Sequence, residues 1–306
     1  MISRPSMTIA AVERDTGLGK DTLRVWERRY GYPLPTRDER GERHYPAEQV
    51  DRLRIIKRLM DQGHRPGSLF AASEEDLLLL AGSSQSPESA APQDEQSVVG
   101  QILALIKAHD AQGLRQALNQ AMMRQGLQRF VIDIVAPLNQ IVGAAWMRGE
   151  LEVFEEHLYS EQIKSLLRQA ISSLPASTSG RPRILLTTVP EERHVLGLLM
   201  VEGLLTLDGA TCISLGVQTP LFDIRAAAEA HRADIVALSF SSAFPARQIA
   251  PQISQLREML SPDVELWVGG AGSNRLPAID GVVVLPTLEA ALAALRATQD
   301  GALEGH

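Results

Sequence analysis

The spacing of apolar side chains divides the 306 residues into three regimes. Thr8 to Gly17 reads as one short helix, Gly17-Leu-Gly19 as a turn and Lys20 to Tyr30 as a second helix, a pair that predicts a helix-turn-helix. Further on, Val98, Ile102, Leu105 and Ile106 recur at helical spacing until Ala108-His-Asp110 interrupts them. Three more such stretches, centred on Leu118, Ile134 and Leu166, complete the pattern of a four-helix bundle. Pro137, which removes a backbone donor, is expected to kink or start a helix there. After Pro182 the pattern becomes strand and helix in alternation. The strands fall at Ile184–Val189, Cys212–Leu215, Ile235–Phe240, Leu266–Gly269 and Val282–Leu285, with amphipathic segments such as Phe222–Arg232 between them. Apolar strands each followed by a helix predict a parallel sheet covered on both faces, with ligands beyond the C-terminal strand ends.

Two breaks separate these regimes. Gly82 to Ser97 is rich in Ser, Pro, Gln and acidic residues and has no large apolar side chain, so it reads as a linker. Pro175 to Pro182 is the second break. The modules expected are residues 1–80, a linker over 81–97, a helical module over 98–178 and an α/β module over 179–306.

Composition narrows the picture. The chain is 44% hydrophobic and 22% charged, with no signal-like start and no apolar run of the roughly 18 residues a membrane span needs, so a cytoplasmic protein without membrane partners is expected. The one cysteine, Cys212, cannot form an internal disulfide or a thiolate metal site, and a buried strand is its expected place. The net charge of -7 conceals an asymmetry: residues 1–68 hold 14 Lys and Arg against 10 Asp and Glu, or +4, which leaves -11 for the remainder. In the second helix, Lys20, Arg24 and Arg28 are spaced by four and share one face, suited to phosphates and base edges of a major groove. By themselves these charges equally suit a solvated surface.

Longer strings carry a resemblance. Thr22-Leu-Arg24-Val-Trp26-Glu-Arg28-Arg29-Tyr30, then Pro35-Thr-Arg37, Gly41-Glu-Arg43-His-Tyr45 and Val50-Asp-Arg-Leu53 closely resemble the MerR family of transcription regulators over about sixty residues. The resemblance implies a small wing over Arg37–Tyr45, with Arg43 approaching the phosphate backbone, and a DNA surface of Lys20, Thr22, Arg24, Trp26, Arg28, Arg37, Arg43 and Tyr45. Trp26, where Tyr is commoner, looks like the subgroup whose effector domain binds cobalamin.

Glu192-x-His194-x-x-Gly197 resembles the motif of Rossmann-like corrinoid domains, in which the histidine is the lower axial ligand of cobalt. Ser239, Ser241, Gly269 and Gly270 stand where that family's later elements fall, their hydroxyls and bare backbones suited to the cofactor's nucleotide tail. Glu192 replaces the commoner Asp and is expected to accept the other ring N–H of His194 with a different reach. A lone histidine at a strand end is otherwise more often structural than a ligand. Upstream, Trp146 followed after nine residues by Glu156-His157, with Val153 between, resembles the upper-face motif of light-dependent cobalamin photoreceptors, the CarH/LitR family. There the tryptophan occupies the space of the 5′-deoxyadenosyl group, and the Glu and His contact that group. Outside that setting, the same residues would be a core tryptophan and a surface pair.

Together these resemblances imply a multidomain α and α/β protein: a winged helix-turn-helix, a four-helix bundle and a Rossmann-like parallel-sheet cobalamin-binding domain. They imply a repressor that binds adenosylcobalamin and double-stranded operator DNA in the dark, as a homo-oligomer of tetrameric form, and releases DNA after photolysis of the Co–C bond. A light-independent cobalamin-sensing regulator of the MerR type would share every motif. A corrinoid methyltransferase component would share the bundle and corrinoid modules but needs no helix-turn-helix, so no enzymatic activity is expected.

Overall fold

The computed structural model describes residues 6–38, 41–61, 64–73, 76–77, 80, 97–147, 149–175 and 180–304. Apart from Ser97, the expected linker lies outside the described residues. The chain folds into two compact units, one N-terminal and one holding the helical and α/β modules.

In the N-terminal unit, α1 (Ile9–Thr16) starts at Thr8, whose hydroxyl accepts the amide of Ala11 and satisfies one of the donors a helix start leaves open. After the turn, α2 (Lys20–Tyr30) matches the expected second helix residue for residue. The strands β1 (Met7–Thr8), β2 (Thr36–Arg37) and β3 (Arg43–Tyr45) form an antiparallel sheet in the order β1-β3-β2. The wing expected over Arg37–Tyr45 is therefore present, with β1 added to its far edge. Next come α3 (Ala47–Asp61) and α4 (Pro66–Ala71). Val12, Leu23, Trp26, Tyr45, Leu53 and Leu69 close one apolar core. A guanidinium fork from Arg54 to Asp15, with bonds of 2.8 and 2.9 Å, ties α3 to α1.

The second unit begins with the expected bundle: α5 (Val98–Lys107), α6 (Ala111–Arg129), a π-helical segment Phe130–Val135, α7 (Ala136–Met147) and α8 (Val153–Ser172). The helix breaks at Gly126, whose φ of 75° and ψ of 164° are open to a residue without Cβ. Pro137 follows as the second residue of α7. A bond from the amide of Ala136 back to the carbonyl of Val131 widens the turn ahead of it, so the missing donor is absorbed inside a continuing helix.

The α/β module has five parallel strands, β4 (Arg183–Thr187), β5 (Thr211–Gly216), β6 (Ile235–Ser239), β7 (Glu265–Gly269) and β8 (Val282–Leu285). Their order in space is β5-β4-β6-β7-β8. One face of the sheet, with Leu185, Val236, Leu238 and Val268, packs on α10 (Leu221–His231) and α11 (Ala246–Met259). The opposite face, with Ile184, Leu186, Ile235 and Trp267, packs on α9 (Leu196–Leu207) and α12 (Leu288–Glu304). Strands wet on neither face explain the unbroken apolar runs in the sequence. The bundle core does not stop at the bundle: it takes in Leu199 and Leu204 of α9 and Leu292 of α12.

Cys212 sits on the edge strand β5, half-buried rather than buried, with its thiol pushed up to about 12 chiefly by burial and further by the nearby Glu202 carboxylate. Among the described residues no helix is long and apolar enough to cross a membrane.

Candidate functional site

In the strand order the connections from β4 and β6 leave in opposite directions, and such a switch point opens a crevice beyond the carboxyl ends. His194 follows β4, and Ser241 follows β6. Between Thr187 and α9 the chain forms a tight loop braced by Thr188, a fully buried residue. The Thr188 hydroxyl donates to the carbonyl of Glu192 at 2.7 Å and accepts the amide of Gln218 at 2.8 Å. Thus held, Glu192 is 1% exposed. Its Oε1 accepts the backbone N–H of His194 at 2.9 Å and lies 2.7 Å from that residue's Nδ1. Its Oε2 accepts the amide of Ser241 at 2.8 Å and the Ser241 hydroxyl at 2.9 Å.

Burial pushes the Glu192 carboxyl up, but the hydrogen bonds and charge of His194 and the Ser241 amide outweigh it, and the net position is below the ordinary value. An ionised Glu192 accepts the proton of Nδ1, and a neutral imidazole protonated there carries its lone pair on Nε2. The ring is 61% exposed. The arrangement is that of a nitrogen donor oriented by a buried carboxylate. Glu192 makes the contact expected of it, and its longer side chain also reaches the loop after β6. The Ser241 hydroxyl lies 2.9 Å from Glu192 Oε2 and 2.9 Å from His194 Nδ1, so it braces the carboxylate–imidazole pair, a role its position in sequence did not reveal.

The glycines are required by the chain's own close approaches. Gly270 has φ of 89°, and a Cβ there would lie 2.3 Å from the carbonyl oxygen of Phe240. At Gly272, which the sequence reading passed over, it would lie 2.4 Å from the carbonyl of Ser241. Both draw the end of β7 against the loop carrying Ser241. On Gly269 a Cβ would come within 3.1 Å of Leu285 O, and on Gly197 within 2.9 Å of Ser239 Oγ. The last distance puts Ser239 beside the first turn of α9.

Trp146 lies near the end of α7, half-buried against an apolar cluster that also receives Val195 and Leu196, the two residues after His194. Val153 opens α8, and one turn later Glu156 Oε2 is 2.7 Å from His157 Nδ1, with His157 69% exposed. On α7, Asn139, Gly143 and Trp146 share a helical face. A Cβ on Gly143 would meet nothing within 4 Å, so this face borders open space. Asn139 accepts the phenol of Tyr159 at 2.6 Å and donates to Met200 Sδ of α9 at 3.6 Å. Burial, and secondarily the Glu156 charge, raise the Tyr159 phenol well above its ordinary range. Neither Asn139 nor Tyr159 stands out in sequence, since a helical Asn-Tyr contact twenty residues apart has no local signature.

On the N-terminal unit Arg24, Arg28 and Arg37 are exposed, and Lys20 and Thr22 are half-buried. Lys20, Arg24 and the wing residue Arg43 carry acidic partners: Lys20 Nζ lies 3.4 Å from Glu13, Arg24 Nη1 3.1 Å from Asp21 and Arg43 Nε 2.9 Å from Glu27. Trp26 and Tyr45 are 5% and 0% exposed. Both correct the expectation of a DNA-facing surface: their rings fill the core, Trp26 edge-on to Phe70 at 5.0 Å, and support the charged face from behind.

Residues 7–68 match the MerR HTH family regulatory protein, and residues 98–171 and 182–296 each match a B12 binding domain. The chain is 31% identical over 267 residues to the HTH-type transcriptional repressor CarH of Myxococcus xanthus, covering 86% of this chain and 88% of that protein. It is 29% identical over 270 residues to the HTH-type transcriptional repressor CarA of the same organism, covering 88% of each. The monomethylamine corrinoid protein of Methanosarcina barkeri shares the fold of the second unit, with a TM-score of 0.51 and 17% identity over 67% of this chain and all of that one.

Proposed function

The chain belongs to the family of cobalamin-dependent, MerR-type transcriptional repressors, and from that membership we propose that light is the signal it reads. It is a DNA-binding, cobalamin-binding regulator and not an enzyme. In this reading it holds operator DNA in the dark as a tetramer, with adenosylcobalamin bound, and illumination releases the DNA. Its place of action is the cytoplasm.

The observation that carries the reading is the clamp of Glu192 on Nδ1 of His194 at the end of β4. An imidazole so oriented, exposed on its ring and backed by a buried carboxylate, would be a fit nitrogen donor for the cobalt of a corrinoid. Bound adenosylcobalamin supplies a cobalt–carbon bond weak enough for visible light to break. Gly197, Ser239 and the Gly269-Gly270 turn would hold the tail of the cofactor, while Ser241 braces the carboxylate. Trp146, Val153, Glu156 and His157 would face the adenosyl group, an indole being suited to stack on adenine and a carboxylate to accept ribose hydroxyls.

Because Trp146 packs on the cluster that also receives Val195 and Leu196, a shift of the tryptophan is passed to the first turn of α9. Lys20, Thr22, Arg24 and Arg28 read the major groove, and Arg37 and Arg43 of the wing take phosphates. Assembly multiplies those contacts into occupancy, so loss of assembly is loss of repression.

The test is size-exclusion chromatography and a gel shift on full-length protein with adenosylcobalamin, in darkness and after green light. A larger dark species that retards DNA, and a smaller illuminated one that does not, is the expected result. Identical elution and mobility would sink the reading. DNA binding that follows cobalamin but ignores light would assign the light-independent sensor instead. In a spectral titration His194→Ala should loosen cofactor binding.

A further inference from the structure

An acidic residue on a DNA-reading helix repels the ligand it faces, and α2 carries one in Glu27. The structure gives that residue a task. Its carboxylate Oε2 lies 2.9 Å from Nε of Arg43, sixteen residues on and across the gap from helix to wing. Both side chains are sheltered, 26% and 23% exposed, which sets this pair apart from the solvent-washed Arg24–Asp21 contact at 49% and 94%.

The point of attachment matters. A guanidinium offers its Nε–H on one side and two terminal amino groups at the end. A carboxylate seated at Nε fixes the plane of the group and leaves the terminal nitrogens to another anion. On the wing, Arg43 pairs across the ladder with Arg37, so two guanidinium-bearing residues stand directly opposite each other. Like charges in that relation disfavour each other. Arg37 leans back on its own hairpin through Nη1 to the carbonyl of Gly41 at 3.3 Å, and the Glu27 carboxylate offsets Arg43.

We propose that Glu27 is a positioning residue for operator binding: it aims the Arg43 guanidinium of the wing at a DNA backbone phosphate and sets the span between wing and recognition helix. The inference rests on the reading of Arg43 as a phosphate contact. It reverses the sign that charge alone would give. Neutralising Glu27 should strengthen binding to any DNA if the residue is merely a negative charge near phosphates, and should weaken operator binding if it aims Arg43.

The test uses the full chain with adenosylcobalamin in the dark, a duplex selected from a random pool by the wild-type protein, and a shuffled duplex of the same composition. Affinities are measured by fluorescence anisotropy across a salt series. Glu27→Gln should bind the selected duplex about three- to tenfold more weakly, bind the shuffled duplex more weakly as well because a phosphate contact is indifferent to sequence, and lose about 0.9 from the slope of log affinity against log salt, the worth of one phosphate contact. Glu27→Asp, which keeps the charge but shortens the reach, should fall between. In an Arg43→Gln background Glu27→Gln should cost nothing further. Thermal melts of each variant check the fold. Selected-duplex binding by Glu27→Gln that equals or exceeds wild type overturns the inference, as does an equal loss in the Arg43→Gln background. If Arg43→Gln itself binds normally, the underlying reading of the wing contact fails as well.

Discussion

Nε2 of His109 lies 2.8 Å from Oε1 of Glu155, a contact that fastens the turn between α5 and α6 to the first turn of α8. His109 holds a left-handed backbone with φ of 57°, unfavourable for a residue with a Cβ, and the contact with Glu155 helps hold it there. The second oxygen of Glu155 accepts the amide of Glu152 at 2.6 Å, closing a capping box at the start of the helix that carries Glu156 and His157.

Glu155 therefore serves two elements and His109 one. His109→Ala should cost about 1 kcal/mol and Glu155→Ala about 2 or more, since the latter also opens the cap. Denaturant melts of the full chain would check this. Equal losses would mean that the cap contributes nothing.

Around His194 the donors to Glu192 are redundant, which grades the effects of removing them. Glu192→Gln should weaken cobalamin binding about 10- to 100-fold and alter the bound spectrum, because the carboxylate orients the ring. Ser241→Ala keeps the backbone amide 2.8 Å from Glu192 and should weaken binding only a few-fold. A titration in which the serine variant is the worse of the two would contradict the assignment of Glu192 as the orienting group.

Two glycines should respond with opposite signs. Gly270→Ala drives a Cβ into Phe240 O at a strained φ and should destabilise by at least about 2 kcal/mol. Gly143→Ala meets open space inside a helix and should stabilise the cofactor-free protein by about 0.5–1 kcal/mol. Calorimetry of the two variants tests both at once.

Glu202 on α9 has its carboxyl raised by burial, against partial relief from the Ser214 hydroxyl and the Arg168 charge. The folded state thus binds this proton more tightly than the unfolded state. Its contribution is complete below the ordinary value of 4.5 and disappears as pH rises through the higher folded value. Glu202→Gln should therefore melt at or above the wild-type temperature near neutral pH, and the gap between the two should close as the pH falls. A variant less stable than wild type at neutral pH would refute this.

Local pattern made much of the architecture legible. The α2 boundaries follow from a glycine on each side of one amphipathic stretch, and each strand of the sheet from an apolar run bounded by turn residues. What was illegible depends on contacts distant in sequence. The strand order is set by pairing across crossovers of many residues. Pro137 announces a lost hydrogen bond and does stand at the start of α7, whereas the break at Gly126 and the π turn that compensates for the proline leave no mark in composition. At the candidate site Glu192 and His194 could be read from their spacing, being two residues apart. Thr188 and Gly272 could not, and Ser241 could be placed but not its task, because these roles are defined by partners distant in sequence. Trp26 and Tyr45 misled for a related reason: an aromatic among arginines suits stacking on DNA and filling a small core equally well.

The helix α9 has an apolar side for each of its neighbours. Leu198 and Leu205 join the core beneath the sheet, and Leu199 and Leu204 join that of the bundle. Cleaving the chain at the break near Pro175–Pro182 would consequently not liberate two domains. The sheet half would carry a wet leucine stripe and the bundle half an uncovered groove, so both fragments should aggregate when expressed alone and recover solubility only when produced together.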